Sequence, residues 1–183
     1  MNDADYAENR FAAIKTTDIA NGPGVRVSVF LSGCPHHCHG CFNKEAWDYN
    51  YGTKITDDTL KDIEEHLNKP YIQGLTILGG EPFDPKNIDA TRTIASIAKG
   101  LNKDVWIYTG YTLDEIISMM FSMPYSKGKT YCTVLLDLCN VLVDGRFNEN
   151  LADKRLLFRG SSNQRLIDMK STAQHGKIVL WQK

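Results

Sequence analysis

Apolar positions along the chain follow two alternating rhythms. Val25–Leu31 is a run of β-branched and aromatic residues and predicts a strand. Residues 57–67 repeat Leu60, Ile63 and Leu67 at helical spacing behind Thr56 or Asp57, either of which can cap a helix. Residues 75–78 are a short apolar run that stops at Gly79-Gly80, and they predict a second strand. A second helix is expected over 87–98, with Ile94, Ile97 and Ala98 on one side. Residues 105–108 predict a third strand ending at Thr109-Gly110, and Thr112 then caps a third helix over 113–120. A further helical piece is expected over 134–139 and a fourth strand over 141–143, ending at Asp144-Gly145. Residues 177–181 predict a last strand.

Strands that alternate with helices imply a parallel sheet with right-handed crossovers. The unusual residues all follow strand ends, and in such sheets the functional face is the C-terminal edge of the strands. Four or five units are too few for an eightfold barrel. The expectation is therefore α/β: an incomplete, open, parallel β/α barrel. No repeat, low-complexity segment or interdomain linker interrupts the 183 residues, which predicts one domain over 1–183. A chain of this length hides roughly 70% of its unfolded surface and can build a real core.

Charge narrows the partners. Lys and Arg number 21 against 22 Asp and Glu, which argues against a broad nucleic-acid or anionic-membrane surface. No apolar run approaches the ~20 residues of a membrane helix. The polar, acidic stretch 1–6 does not resemble a signal peptide. The cysteines number five, and Cys34, Cys38 and Cys41 crowd into one segment, whereas a disulfide framework would spread them. A cytoplasmic metal site is the expectation.

The spacing is C-x3-C-x2-C on a loop leaving the first strand. Thiolates bind iron–sulfur clusters, zinc and copper. A closed zinc site needs a fourth ligand, which His36, His37 or His39 would supply, and would make the chain a zinc-binding interaction module. A cubane held by three cysteines leaves one iron open to a substrate. The three histidines read equally well as members of a solvated loop. Cys132 and Cys139 are seven apart in an apolar stretch, which puts both on one helix face as buried residues. Trp47, Trp106 and Trp181 are expected to pack rather than bind. Gly79-Gly80-Glu81-Pro82 ends the second strand beside the cysteine loop; its glycines admit a ligand close to the backbone, and Glu81 suits a cationic amine.

Cys-x3-Cys-x2-Cys after one strand and Gly-Gly-Glu-Pro after the next resemble the radical S-adenosylmethionine enzymes. Asn21-Gly22-Pro23-Gly24-Val25-Arg26, the approach Phe30-Leu31-Ser32-Gly33-Cys34, and Asn43 are similar to the glycyl-radical activating enzymes among them. The segments 107–111, 141–147 and 158–165 are similar to one branch, the activators of anaerobic ribonucleoside-triphosphate reductases. The resemblance covers a core of about 18–169.

It implies a partial barrel of the radical SAM type, with a [4Fe–4S] cluster on Cys34, Cys38 and Cys41. It implies S-adenosyl-L-methionine on the open iron, reductive cleavage to a 5′-deoxyadenosyl radical, and hydrogen abstraction from a glycine of the reductase catalytic subunit. The electron would come from a donor such as flavodoxin or ferredoxin. Gly40, Cys41 and Phe42 would contact the cofactor through their backbone. Gly79 and Gly80 would hold its methionine part with Glu81 at the ammonium, and Thr109 and Asp144 would line the pocket. Arg146, Arg159 and Gln164 would face the target glycine loop, whereas in Asp144 a core hydrogen-bonding role fits nearly as well. Where many of these enzymes have an aromatic residue before the third cysteine, this chain has Gly40. An activase of pyruvate formate-lyase or another glycyl-radical enzyme is the neighbouring alternative. The segments 124–129 and 173–183 look like surface additions.

Overall fold

The computed structural model describes residues 8–182; the stretch 1–6, read for a signal peptide, lies outside them. The first strand, β1 (Arg10–Asp18), has no signature in the apolar pattern because it lies toward one edge of the sheet and exposes Ala13, Lys15 and Thr17. A tight turn leads into β2 (Val25–Leu31), which pairs antiparallel with β1. A short edge strand, β3 (Thr53–Lys54), precedes α1 (Asp57–Leu67). Thr56 caps α1 by accepting from the Thr59 amide, as its position predicts. Then come β4 (Ile72–Gly79), α2 (Ile88–Gly100), β5 (Asp104–Tyr108) and α3 (Leu113–Ser122). Thr112 and Glu115 form a reciprocal capping box at the start of α3.

The sheet order is β3-β1-β2-β4-β5 followed by β6 (Val141–Asp144) and β7 (Arg165–Asp168). Strands β2, β4, β5 and β6 are parallel; β1 and β7 join antiparallel on either side. The sheet is open and mixed, so the expected all-parallel arrangement is corrected at both flanks. β1 exposes alternate residues and β7 is only four residues long, which leaves both without the apolar density that marks β2 and β4.

Val27, Val29, Leu31, Leu75, Ile77, Val105, Ile107 and Leu142 face a core shared with α1 and α2. The alternate residues point to the other face. There Trp106, Val141, Val143 and Leu166 form a small second cluster with Tyr108, Phe158 and Trp181. Trp106 and Trp181 are thus packing residues, as expected. The tail is not a full strand: one bridge joins Leu180 to Ile167, and Trp181 donates its amide to the Leu166 carbonyl at 2.8 Å.

Residues 124–129 lie mostly at the surface, with Pro124, Tyr125, Ser126 and Lys129 exposed and Gly128 buried, and they open a helix whose far end enters the core. α4 (Tyr125–Cys132) runs into a π-helical segment, Thr133–Leu138. The wider π turn breaks the 3.6-residue period on which the placing of Cys132 and Cys139 depended. Cys132 ends α4 half-buried, while Cys139 has left the helix and sits in the main core. Burial pushes its thiol above the ordinary range.

The Asn21–Arg26 motif lies at the N-terminal end of β2, opposite the cysteines. Arg26 is fully buried. It donates to Thr76 Oγ1 at 2.8 Å, to the Leu75 carbonyl at 2.7 Å and to both Asp104 carboxylate oxygens at 3.1 Å. Asp18 accepts from Ser28 Oγ and Asn21 Nδ2, each at 2.6 Å. Burial acts to raise the Asp18 carboxyl, and the Ser28, Asn21 and Ala20 donors outweigh it, leaving it below its ordinary value.

A depressed carboxylate stabilises the fold above its unfolded value of ~3.9, and the contribution disappears as pH falls through the folded value. Asp18→Asn should therefore lower the unfolding free energy by about 2 kcal/mol at neutral pH. The gap to the parent should narrow below about pH 4. Urea unfolding of both proteins at neutral and acid pH checks this, and a gap that stays constant would sink it.

Candidate metal and cofactor site

The loop after β2 is held at its root by backbone bonds. Ser32 donates to the Arg10 carbonyl at 2.9 Å and Gly33 to the Ala46 carbonyl at 2.8 Å. Cys34 donates to the Trp47 carbonyl at 3.2 Å. The acceptors Ala46 and Trp47 belong to a 3-10 turn, Lys44–Trp47, that folds the chain back under its own loop. His37 stacks on Trp47 with ring centroids 4.7 Å apart.

Cys34 is buried, Cys38 and Cys41 are half-buried, and all three are free thiols. Burial pushes Cys34 up to about 12, against the pull of the His36 and His37 backbone N–H groups. Cys38 is also raised, first by burial and then by neighbouring Cys41, with the Phe147 backbone N–H working the other way. Both are neutral thiols until a metal displaces their protons. The chemistry fits a cluster: sulfur ligands, backbone N–H groups directed at sulfur, and a buried Ser32 hydroxyl with no protein partner at the root of the loop. Among the described residues no three His, Cys, Asp or Glu side chains converge on a single ion.

The glycine turn after β4 touches this loop backbone to backbone. Gly80 donates to the Leu31 carbonyl at 2.7 Å and Glu81 to the Gly33 carbonyl at 2.8 Å. A Cβ on Gly80 would stand 2.5 Å from the Gly33 oxygen, and one on Gly79, at φ +102°, 2.8 Å from the Leu31 oxygen. Glycine is required at both positions by this approach.

Glu81 does not face an open pocket. It is 0% exposed. One oxygen accepts from the Phe83 amide at 2.8 Å and Thr109 Oγ1 at 2.7 Å; the other accepts from His36 Nε2 at 2.8 Å and the Gly110 amide at 2.7 Å. Thr109 is likewise buried, its hydroxyl taken by Glu81 and by the Tyr111 amide. Asp144, expected to line the pocket, closes the core instead. It is 1% exposed, accepts from the Leu113 amide at 2.8 Å at the start of α3, and pairs with Arg165. A carboxylate at a strand end satisfies a helix N-terminus as readily as a ligand.

Gly40 and Phe42 are at the solvent side. Phe42 is 79% exposed and leans on Phe147 at 5.3 Å. Beside them opens a cavity of about 480 Å³, bounded by His39, Arg146, Phe147, Asn148, Glu149 and Asn163 among others. Of the three residues expected at the target glycine, Arg146 borders this cavity and pairs with Glu115 at 3.1 Å. Arg159 donates to the Gln164 carbonyl, and the buried Gln164 side chain ties together Gly145, Gly160 and Ser161, so both serve their own loop.

The apolar pattern gave no hint of Asn87. Its side-chain NH2 reaches the carbonyls of Ser32, Gly33 and Glu81 at 3.0, 3.1 and 3.0 Å, joining the two loops. Asn at a helix start reads as a cap, yet here it makes no capping bond.

Comparison with known proteins adds a second line of observation. Residues 20–167 match the family model of the 4Fe-4S single cluster domain. The anaerobic ribonucleoside-triphosphate reductase-activating protein of Enterobacteria phage T4 is 38% identical over 151 residues, 81% of this chain and 87% of the relative. The protein of that name from Escherichia coli K12 is 41% identical over 80% of this chain and 90% of the relative. The one from Salmonella typhimurium is 40% identical over 85% and 96%.

Gly80→Ala should lower stability by about 1–3 kcal/mol by forcing the two loops apart. Denaturant unfolding checks it; parental stability would show that the loops are not in contact.

Proposed function

The chain belongs to the family of anaerobic ribonucleoside-triphosphate reductase-activating proteins, and from that premise we propose that it generates the glycyl radical of such a reductase. The observation that carries this reading is the meeting of a three-thiol loop with a glycine turn at the C-terminal ends of adjacent parallel strands. Cys34, Cys38 and Cys41 hold a [4Fe–4S] cluster. With S-adenosyl-L-methionine bound, the group these cysteines would hold would supply reductive cleavage of the cofactor and hydrogen-atom abstraction from the target glycine.

The chain's own residues bind, orient and exclude water. Gly79 and Gly80 let the methionine part lie against bare backbone, and the backbone of Gly40, Cys41 and Phe42 borders the nucleoside. Glu81 supports this turn from within, its carboxylate bonded to His36, Phe83, Thr109 and Gly110. The cavity bordered by Arg146 opens next to Cys38 and receives the reductase catalytic subunit's glycine segment. A donor of the flavodoxin or ferredoxin kind delivers the electron. The open sheet with its loops gathered at one edge is consistent with a partial barrel of the radical SAM type. Thiolate-held iron suits the reducing cytoplasm. No helix of the described residues is long and apolar enough to cross a membrane.

Two results test the proposal. Anaerobic reconstitution with iron, sulfide, S-adenosyl-L-methionine, a reductant and the reductase should produce a glycyl radical by electron paramagnetic resonance; its absence on the reductase refutes the target. Cys38→Ala should lose the cluster's broad visible absorbance together with all cofactor cleavage, and cleavage at the parental rate would remove Cys38 from the ligand set.

A further inference from the structure

We infer that His36 is a positioning residue: by donating from Nε2 to Glu81 it latches the cysteine loop onto the glycine turn and the end of β5, and so sets how Cys34 and Cys38 stand. The inference rests on the cluster reading of the same site. His36 lies between those two cysteines, and its side chain is 5% exposed. Its ring meets Tyr111 edge-on at 4.4 Å. A Cβ added to Gly110 would be 2.3 Å from its Cδ2. The ring is therefore walled in on the side of β5 and bonded to Glu81.

The remaining donors to Glu81 explain why this one matters. Phe83 belongs to the glycine turn itself, and Thr109 and Gly110 follow β5 directly. Only His36 brings the cysteine loop to that carboxylate. Another imidazole bond of the loop, His39 to Glu149 at 2.6 Å, lies in solvent, where such a pair stabilises little. A carboxylate has about four acceptor positions. Glu81 fills all of its own with protein donors, and the one from His36 ties it to the stretch between Cys34 and Cys38, whereas the Gly80, Glu81 and Asn87 bonds hold only the loop's root at Leu31, Ser32 and Gly33. Groups outside the ligand shell that fix ligand orientation typically change metal affinity by about 10–100-fold when removed.

The test compares the full chain with His36→Ala, His36→Gln and Thr109→Val, each reconstituted anaerobically with iron and sulfide. Glutamine places an amide nitrogen near the position of Nε2 and should restore the bond. Thr109→Val also removes a donor from Glu81 but leaves the cysteine loop latched. The first readout is the rate at which iron passes to a chelator. His36→Ala should release iron about 10–100-fold faster than the parent. His36→Gln and Thr109→Val should stay within about threefold of it.

Parental release from His36→Ala overturns the inference. So does His36→Gln releasing as fast as the alanine variant, or Thr109→Val matching it, since general loosening would then suffice. The second readout is the electron paramagnetic resonance spectrum of the reduced cluster before and after S-adenosyl-L-methionine. A parent whose spectrum ignores the additive speaks against the cofactor reading, while the order of iron release still decides the latch.

Discussion

A carboxylate removed from water must find a donor for each lone pair, and Glu81 finds its four in three separate loops. Each bond has a narrow length range. The loops after β2, β4 and β5 therefore cannot slide past one another without leaving a buried oxygen unpaired, at about 1–3 kcal/mol per lost bond. The Gly80 and Glu81 amides and the Asn87 side chain fasten the same loops from the backbone side. Thus the thiol-bearing edge is shaped by the protein itself. A binding constellation needs that rigidity, because residues held only by their ligand must be ordered at the moment of binding.

The opposite end of the sheet uses a buried charge of the other sign. Arg26 shares a face with Ser28 and Thr76, alternating with the apolar Val27, Val29 and Ile77 that meet the helices. Its guanidinium reaches β4 and β5 and lies over Trp106 at 5.5 Å. This cation fixes the relative register of three parallel strands where they begin, and Glu81 ties their loops where they end. Sheet geometry transmits the first constraint to the second. The helix-free face remains thinly covered, with an aromatic cluster over β5 and β6 and exposed Lys15 and Thr17 on β1.

Much of this was legible in the sequence, for identifiable reasons. The parallel strands are rich in β-branched and aromatic residues, and Thr56 and Thr112 announce their helices because a cap needs a hydroxyl at a definite place. The cysteine loop and glycine turn were legible as neighbours because both follow strand ends. Strands β1 and β7 were not, since β1 alternates with exposed Ala13, Lys15 and Thr17 and β7 is only four residues long. Glu81 and Asp144 are ambiguous in the sequence for a common reason: an acid after an apolar strand has the same signature whether it meets a ligand or collects backbone amides. Only the number of donors already in place distinguishes the two. His36 was legible only as a candidate ligand and Asn87 not at all, because His36 meets Glu81 45 residues away and Asn87 meets Ser32 and Gly33 55 and 54 residues away.

Burial at the thiols acts in opposite directions with and without a metal. Burial pushes the Cys34 thiol up to about 12, which keeps its proton on in the metal-free chain. The same low-polarity surroundings strengthen the attraction between thiolate and a metal centre once the proton has left. Backbone N–H groups of His36, His37 and Phe147 are already directed at the sulfur atoms and favour the charged form. Binding then needs no new donors, only loss of protons and a loop that does not move. The latch at Glu81 supplies the second condition. Two features that have nothing to do with iron therefore shape this site: the depth at which the thiols are placed, and the carboxylate bonded to their loop.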